Sequence, residues 1–187
     1  MHNVQKDDLF VLGFCGKAGA GKTTIANMVL NQFLKMTDTK IGCVIIPFAK
    51  ALKDLAVQLG WDGVKDERGR RLLQLLGTDV CRDCISEDYW VERWKESVAR
   101  ERARKIQLIV ADDVRFENEL NCIKSLGGIT YQLVGRSMEL SKDASTHPSE
   151  QLYLKLADDL LISNTSTFEA LECRAKEIVK RLIKWTY

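Results

Sequence analysis

The chain has 187 residues, 28 basic and 26 acidic, for a formal charge of +2, with 29% charged and 45% hydrophobic residues. That balance excludes a broad basic surface of the kind that coats nucleic acid, while leaving room for a local basic cleft. The apolar content is enough to fill a core, and no apolar run approaches the ~18 residues of a membrane helix.

Apolar runs alternate with helical patterns along the chain. Leu9–Cys15 predicts a buried strand, and Thr23–Lys35 a helix with Ile25, Met28, Val29 and Phe33 at helical spacing. A strand follows at Ile41–Phe48 and a helix at Ala49–Leu59. Asp66–Cys84 and Glu87–Arg104 predict two further helices, and Ile106–Ala111 a third strand ending in Asp112-Asp113. Phe116–Leu126 is a helix closed by Gly127-Gly128. Ile129–Val134, a short Asp159–Ile162 strand and a Thr167–Trp185 helix complete the series. Ser166 or Thr167 can cap that last helix.

Strands separated by helices imply crossover connections and a mainly parallel five-stranded sheet with helices on both faces, a three-layer α/β fold. The chain is expected to form one domain over residues 1–187. Its strand-free region, about 49–104, would be a helical substrate-binding insertion. Ligands in such folds sit at the carboxyl ends of the strands.

Six cysteines do not imply disulfides here. The first residues are polar and carry no signal-peptide pattern, so a cytoplasmic location and reduced thiols are expected. Cys15 and Cys43 lie in apolar runs, and the lone Cys81-x-x-Cys84 lacks the further ligands of a zinc site.

The strongest signal is Gly16-Lys17-Ala18-Gly19-Ala20-Gly21-Lys22-Thr23-Thr24, which fits GxxxxGK[ST] with a strand before it and a helix after it. Glycines let the backbone wrap around phosphates with its N–H groups inward, and the helix adds its positive end. Lys22 would reach the β- and γ-phosphates of ATP, and the Thr23 hydroxyl would bind Mg²⁺. An acid at the tip of the third strand is placed to organise that ion through water. Periodicity alone does not choose between Asp112 and Asp113.

The acceptor could be water, as in a switch, or a small substrate. A phosphate monoester has a second pKa near 6, so it is already a nucleophile at neutral pH. The site must then hold two polyanions together, which calls for cations and especially arginine. Arg71, Gln74, Thr78 and Arg82 fall on one face of the predicted Asp66–Cys84 helix, with Leu72, Leu73, Leu76 and Val80 toward the core. Arg115 follows the strand-end acids. Arg136 opens a polar stretch at 136–148 that has the character of a lid. Trp61, Trp90 and Trp94 flank the helical region, where an aromatic ring can stack on a base or fill the core. Arg100, Arg102 and Arg104 suit a solvated helix C-terminus, and the loop residue His147 has no assigned role.

Further motifs lie beside the phosphate loop. They are Phe48-Ala-Lys-Ala-Leu-Lys53, Trp61-Asp-Gly, Lys65-Asp-Glu-Arg-Gly-Arg-Arg-Leu-Leu-Gln74, Leu76-Gly-Thr-Asp79 with Arg82, and Asp88-Tyr-Trp90-Val. Asp113-Val-Arg-Phe-Glu-Asn-Glu119, His147-Pro-Ser-Glu150 and Asp159-Leu-Leu-Ile-Ser-Asn164 follow. Together they resemble, nearly end to end, the deoxynucleoside monophosphate kinases typical of bacteriophages, which have the P-loop nucleoside monophosphate kinase fold.

The resemblance implies transfer of the ATP γ-phosphate to a deoxynucleoside 5′-monophosphate, with Mg²⁺, in a monomer or homodimer that needs neither nucleic acid nor membrane. It implies Asp113 as the functional acid and metal partner, with Arg115 and Glu119 beside it. It implies Lys53, Arg70, Arg71, Gln74 and Trp90 around the monophosphate, Glu150 near the substrate, and the Asn164 loop against the donor adenine. The family often has proline where Ala51 and Glu117 stand. Animal-type phosphomevalonate kinases share a looser version of this layout, and a nucleotide-dependent switch is the alternative of another class.

Overall fold

A computed structural model of the chain describes residues 9–37, 42–135, 160–165 and 167–184. Strand β1, Phe10–Cys15, alternates its side chains between two faces. Leu12 and Phe14 enter one apolar cluster with Ile25, Val29 and Phe33 of helix α1 (Lys22–Met36). Val11 and Cys15 enter a second cluster on the other face. Strand β3, Ile106–Val114, divides likewise, Leu108 and Val110 to the first cluster and Ile109 and Ala111 to the second. A strand that is apolar on both faces must be covered on both.

The other strands are β2 (Gly42–Ile45), β4 (Ile129–Val134) and β5 (Leu161–Ser163). All pairings are parallel, in the order β2-β3-β1-β4-β5. Helix α2 is Lys50–Gln58, α3 Glu67–Gln74, α4 Tyr89–Ala103, α5 Glu117–Ser125 and α6 Phe168–Lys184. Helices α1 and α6 cover the first face, with Leu171, Ala175, Ile178 and Val179 in that cluster. Helices α4 and α5 cover the second, through Val91, Trp94, Val98, Leu120 and Ile123. Trp94 stacks on Phe48 and donates its indole N–H to the Ile46 carbonyl at 2.8 Å. The Thr167 hydroxyl accepts from the Ala170 N–H at 3.4 Å, which caps α6. The result is the three-layer α/β fold implied by the resemblance.

Two details depart from expectation. First, β3 continues through Asp112-Asp113 to Val114. Gly13 pairs with Ala111 but Cys15 with Val114, so β3 carries an extra residue at the acids. Such a bulge re-aims side chains. Second, the single helix expected over Asp66–Cys84 is α3 followed by a π-helix, Leu75–Ile85. Its i→i+5 register shows in the Ser86 N–H donating to the Cys81 carbonyl at 2.9 Å. In that wider turn the Gly77 carbonyl accepts the Trp90 indole N–H at 2.8 Å. The expected core stripe does not hold either. Leu73 lines the cleft described below, and Val80 is 45% exposed.

Candidate active site

The phosphate loop joins β1 to α1. Gly16, Gly19 and Gly21 have φ of 139°, 77° and 93°, conformations closed to most residues. A Cβ on Gly16 would lie 2.6 Å from the Leu133 carbonyl oxygen, and one on Gly21 2.6 Å from Asn164 Nδ2. Helix α1 has neither a side-chain cap nor an acid in its first turn, so its positive end is kept for an anion. Lys22 is buried, and its ammonium donates to the Gly16 and Lys17 carbonyls at 2.7 and 2.8 Å. Ala18, Gly19, Lys22 and Thr23 line a cleft of about 680 Å³. Thr24 is exposed and outside that lining.

Asn164, whose loop the resemblance sets against the donor adenine, lies beside the phosphate loop. It is buried, and its side-chain amide donates to the Ala20 carbonyl at 2.8 Å. Its backbone N–H donates to Val134 at 2.8 Å. Asn164 thus braces the phosphate loop from the end of β5.

The bulge in β3 sends the two acids to different partners. The Thr23 hydroxyl donates to Asp112 Oδ2 at 2.6 Å. Asp113 instead accepts the Phe48 N–H at 2.7 Å and the Ala49 N–H at 3.0 Å, fixing the corner between β2 and α2. Burial pushes the Asp113 carboxyl above its usual range, against the pull of those N–H groups, and the charge of Asp112 adds to the rise. The acid that meets the phosphate-loop threonine is therefore Asp112, and Asp113 is turned to backbone.

Lys53 from α2, Arg70 from α3 and Arg115 after β3 line the same cavity as the phosphate loop. A fourth cation, Lys65, lines it too and was not singled out from the sequence, although it opens the Lys65–Gln74 motif. Its ammonium is held below its usual pKa by Lys53 first, then by burial, Arg70 and Arg115. Arg71 is exposed and outside the lining, so Arg70 rather than Arg71 faces the cleft.

Gln74, Thr78 and Trp90 line the cleft as expected from the stripe and the resemblance. Trp61 does not; its indole N–H donates to the Val64 carbonyl at 3.0 Å.

Arg82 reaches the cleft wall with its guanidinium already engaged. It is buried, donates to Glu119 Oε1 at 2.6 Å and to the Glu87 carbonyl at 3.0 Å, and lies 3.9 Å over the Phe116 ring. Glu119 Oε2 accepts the N–H groups of Arg115 and Phe116 at 2.8 and 3.2 Å. Burial first, then the Asp113 charge, pushes Glu119 up to about 7, against the pull of the Arg115 N–H and of Arg82. The pair ties the π-helix to the turn that carries Arg115. Arg136, Glu150 and the whole 136–148 segment lie outside the described residues.

Among the described residues, no group of three or more histidine, cysteine, aspartate or glutamate side chains is placed to hold a metal ion. No described helix is long and apolar enough to cross a membrane.

A protein of Acanthamoeba polyphaga mimivirus, provisionally named a deoxynucleotide monophosphate kinase, is 28% identical over 189 residues, spanning 86% of this chain and 91% of the relative. The family model described as "Deoxynucleotide monophosphate kinase" matches residues 61–175, from the turn before α3 into α6. The chain belongs to the deoxynucleotide monophosphate kinase family.

Proposed function

We propose that this protein transfers the γ-phosphate of ATP to a deoxynucleoside 5′-monophosphate, giving the diphosphate. One observation carries this reading: the phosphate loop, the cations Lys53, Lys65, Arg70 and Arg115, and the two acids of β3 all line one cleft. A switch that hydrolyses its nucleotide needs the first of these anion seats but not the second.

The donor set at Thr23 and Asp112, a hydroxyl and a carboxylate oxygen 2.6 Å apart, is of the hard-oxygen type that magnesium prefers. When bound there, the ion would neutralise charge on the donor phosphates. Lys22 would exchange its loop carbonyls for the β- and γ-phosphate oxygens. Lys53 and Arg70 would hold the acceptor phosphate, and Arg115 would face the phosphoryl group between the two seats. Arg136, expected from the sequence to belong to a lid, would supply a further cation. The acceptor phosphate is itself the nucleophile, so no residue has to remove a proton. Glu119 and Asp113, both committed to backbone N–H groups, are therefore free to be structural.

The test is ADP release by the purified protein with ATP and magnesium, with and without each deoxynucleoside monophosphate. A kinase of this type releases little ADP until an acceptor is added. Slow hydrolysis indifferent to every monophosphate would instead indicate a switch.

A further inference from the structure

Lys53 and Lys65 are cations in the same cavity, and neither has an ion-pair partner among the described residues. Lys65 faces Lys53 from α2, Arg70 from α3 and Arg115 after β3, and the acid among the charges acting on it is Asp113 of β3. Like charges gathered in a partly desolvated cleft repel one another. A bound polyanion converts that repulsion into attraction, which makes the cluster a preformed seat for a phosphate group.

Lys65 belongs to no helix, yet its backbone is tightly held. The Trp61 indole N–H donates to the Val64 carbonyl at 3.0 Å, and the Val64 N–H donates to Asp62 Oδ1 at 2.9 Å. Asp66 caps α3 by accepting the Gly69 N–H at 2.7 Å. Arg70 Nε donates to the Lys65 carbonyl at 3.1 Å. The turn lies so close to α3 that a Cβ on Gly69 would run into the Val64 carbonyl and lie 2.8 Å from the Trp61 indole nitrogen. The bond from Arg70 Nε also ties Arg70, a second cation of the cleft, to the same turn.

We propose that Lys65 binds the phosphate group of the acceptor nucleotide, and that Trp61 is a positioning residue whose indole N–H holds the 61–66 turn so that Lys65 and Arg70 face the cleft. This rests on the kinase reading and assigns Trp61 to the scaffold rather than to base stacking.

The experiment compares the whole protein with Lys65→Gln, Lys65→Arg and Trp61→Phe, measuring steady-state constants for both substrates and, by calorimetry, binding of deoxynucleoside monophosphate alone. Lys65→Gln should raise the acceptor KM and Kd about tenfold, the loss of one charge-assisted contact, with kcat and the ATP KM nearly unchanged. Lys65→Arg should recover most of that loss. Trp61→Phe keeps an aromatic side chain and removes the N–H, and it should raise the acceptor KM in the same direction by a smaller factor. A general loss of folding would instead lower kcat and melting temperature together. An acceptor KM and Kd unchanged in Lys65→Gln, or a rise confined to the ATP KM, overturns the assignment. Wild-type protein that binds monophosphates without turning them over would contradict the kinase reading alone, and the calorimetric comparison would still decide the role of Lys65. Wild-type protein that binds no monophosphate would overturn both.

Discussion

The Thr23 hydroxyl bonds to Asp112 at 2.6 Å, while Asp113, next in sequence, is bonded to the backbone of Phe48 and Ala49. Adjacent acids at one strand end therefore have separable duties. Asp112→Asn should cut turnover by orders of magnitude and raise the magnesium requirement, with the melting temperature nearly unchanged. Asp113→Asn would turn an amide N–H toward a backbone N–H. It should cost about 1–3 kcal/mol of stability, as expected for an unsatisfied buried group, seen as a lower denaturation midpoint. Equal effects of the two variants on magnesium dependence would contradict the division.

Arg115 lines the cleft, and its backbone N–H is held by Glu119. Arg115→Ala leaves that N–H in place. Turnover should fall by two or more orders of magnitude, on the scale of about 10² or more for a lost charge-stabilising group, while thermal stability changes little. Activity within a few-fold of wild type would show that Arg115 does not face the transferring phosphoryl group.

Asn164 bonds the Ala20 carbonyl from 144 residues away in sequence. Asn164→Ala would leave a buried carbonyl without its donor and should loosen the loop that grips ATP. The expected outcome is a raised ATP KM, an unchanged acceptor KM, and a stability loss of about 1–3 kcal/mol. A change confined to the acceptor KM would count against the bracing role.

Glu119 supplies a pH signature. Its folded pKa is raised from 4.5 to about 7. Between those values the folded state keeps a proton that the unfolded state has already released, so stability falls as pH rises through that window. The stabilising contribution is fully present below about 4.5 and gone above about 7. Denaturant midpoints measured across this range should show the decline, and Glu119→Gln should flatten its slope even if it lowers stability overall. An unchanged slope in the variant would remove Glu119 as the source.

Much of this architecture is legible from residue order alone, because strand alternation and the phosphate-loop pattern are local. Leu12 and Phe14 opposite Val11 and Cys15 already imply a sheet covered twice. The choice between Asp112 and Asp113 is not local: it depends on a bulge set by pairing with β1. The π-helix is equally hidden, since helical periodicity assumes about 3.6 residues per turn, and Val80, which that period sets toward the core, is 45% exposed. Arg82 resembles an available cation until Glu119, 37 residues on, is brought against it. Lys65 stands outside any periodic segment, so no pattern marks it. Its role depends on the convergence of Lys53, Arg70 and Arg115 from three different parts of the chain.

The central claim is tested most directly by product analysis after incubating the protein with ATP, magnesium and each deoxynucleoside monophosphate in turn. The account predicts a deoxynucleoside diphosphate formed in equal amount with ADP for at least one of them. No diphosphate with any of them, together with turnover of phosphomevalonate or acceptor-independent ATP hydrolysis, would contradict it.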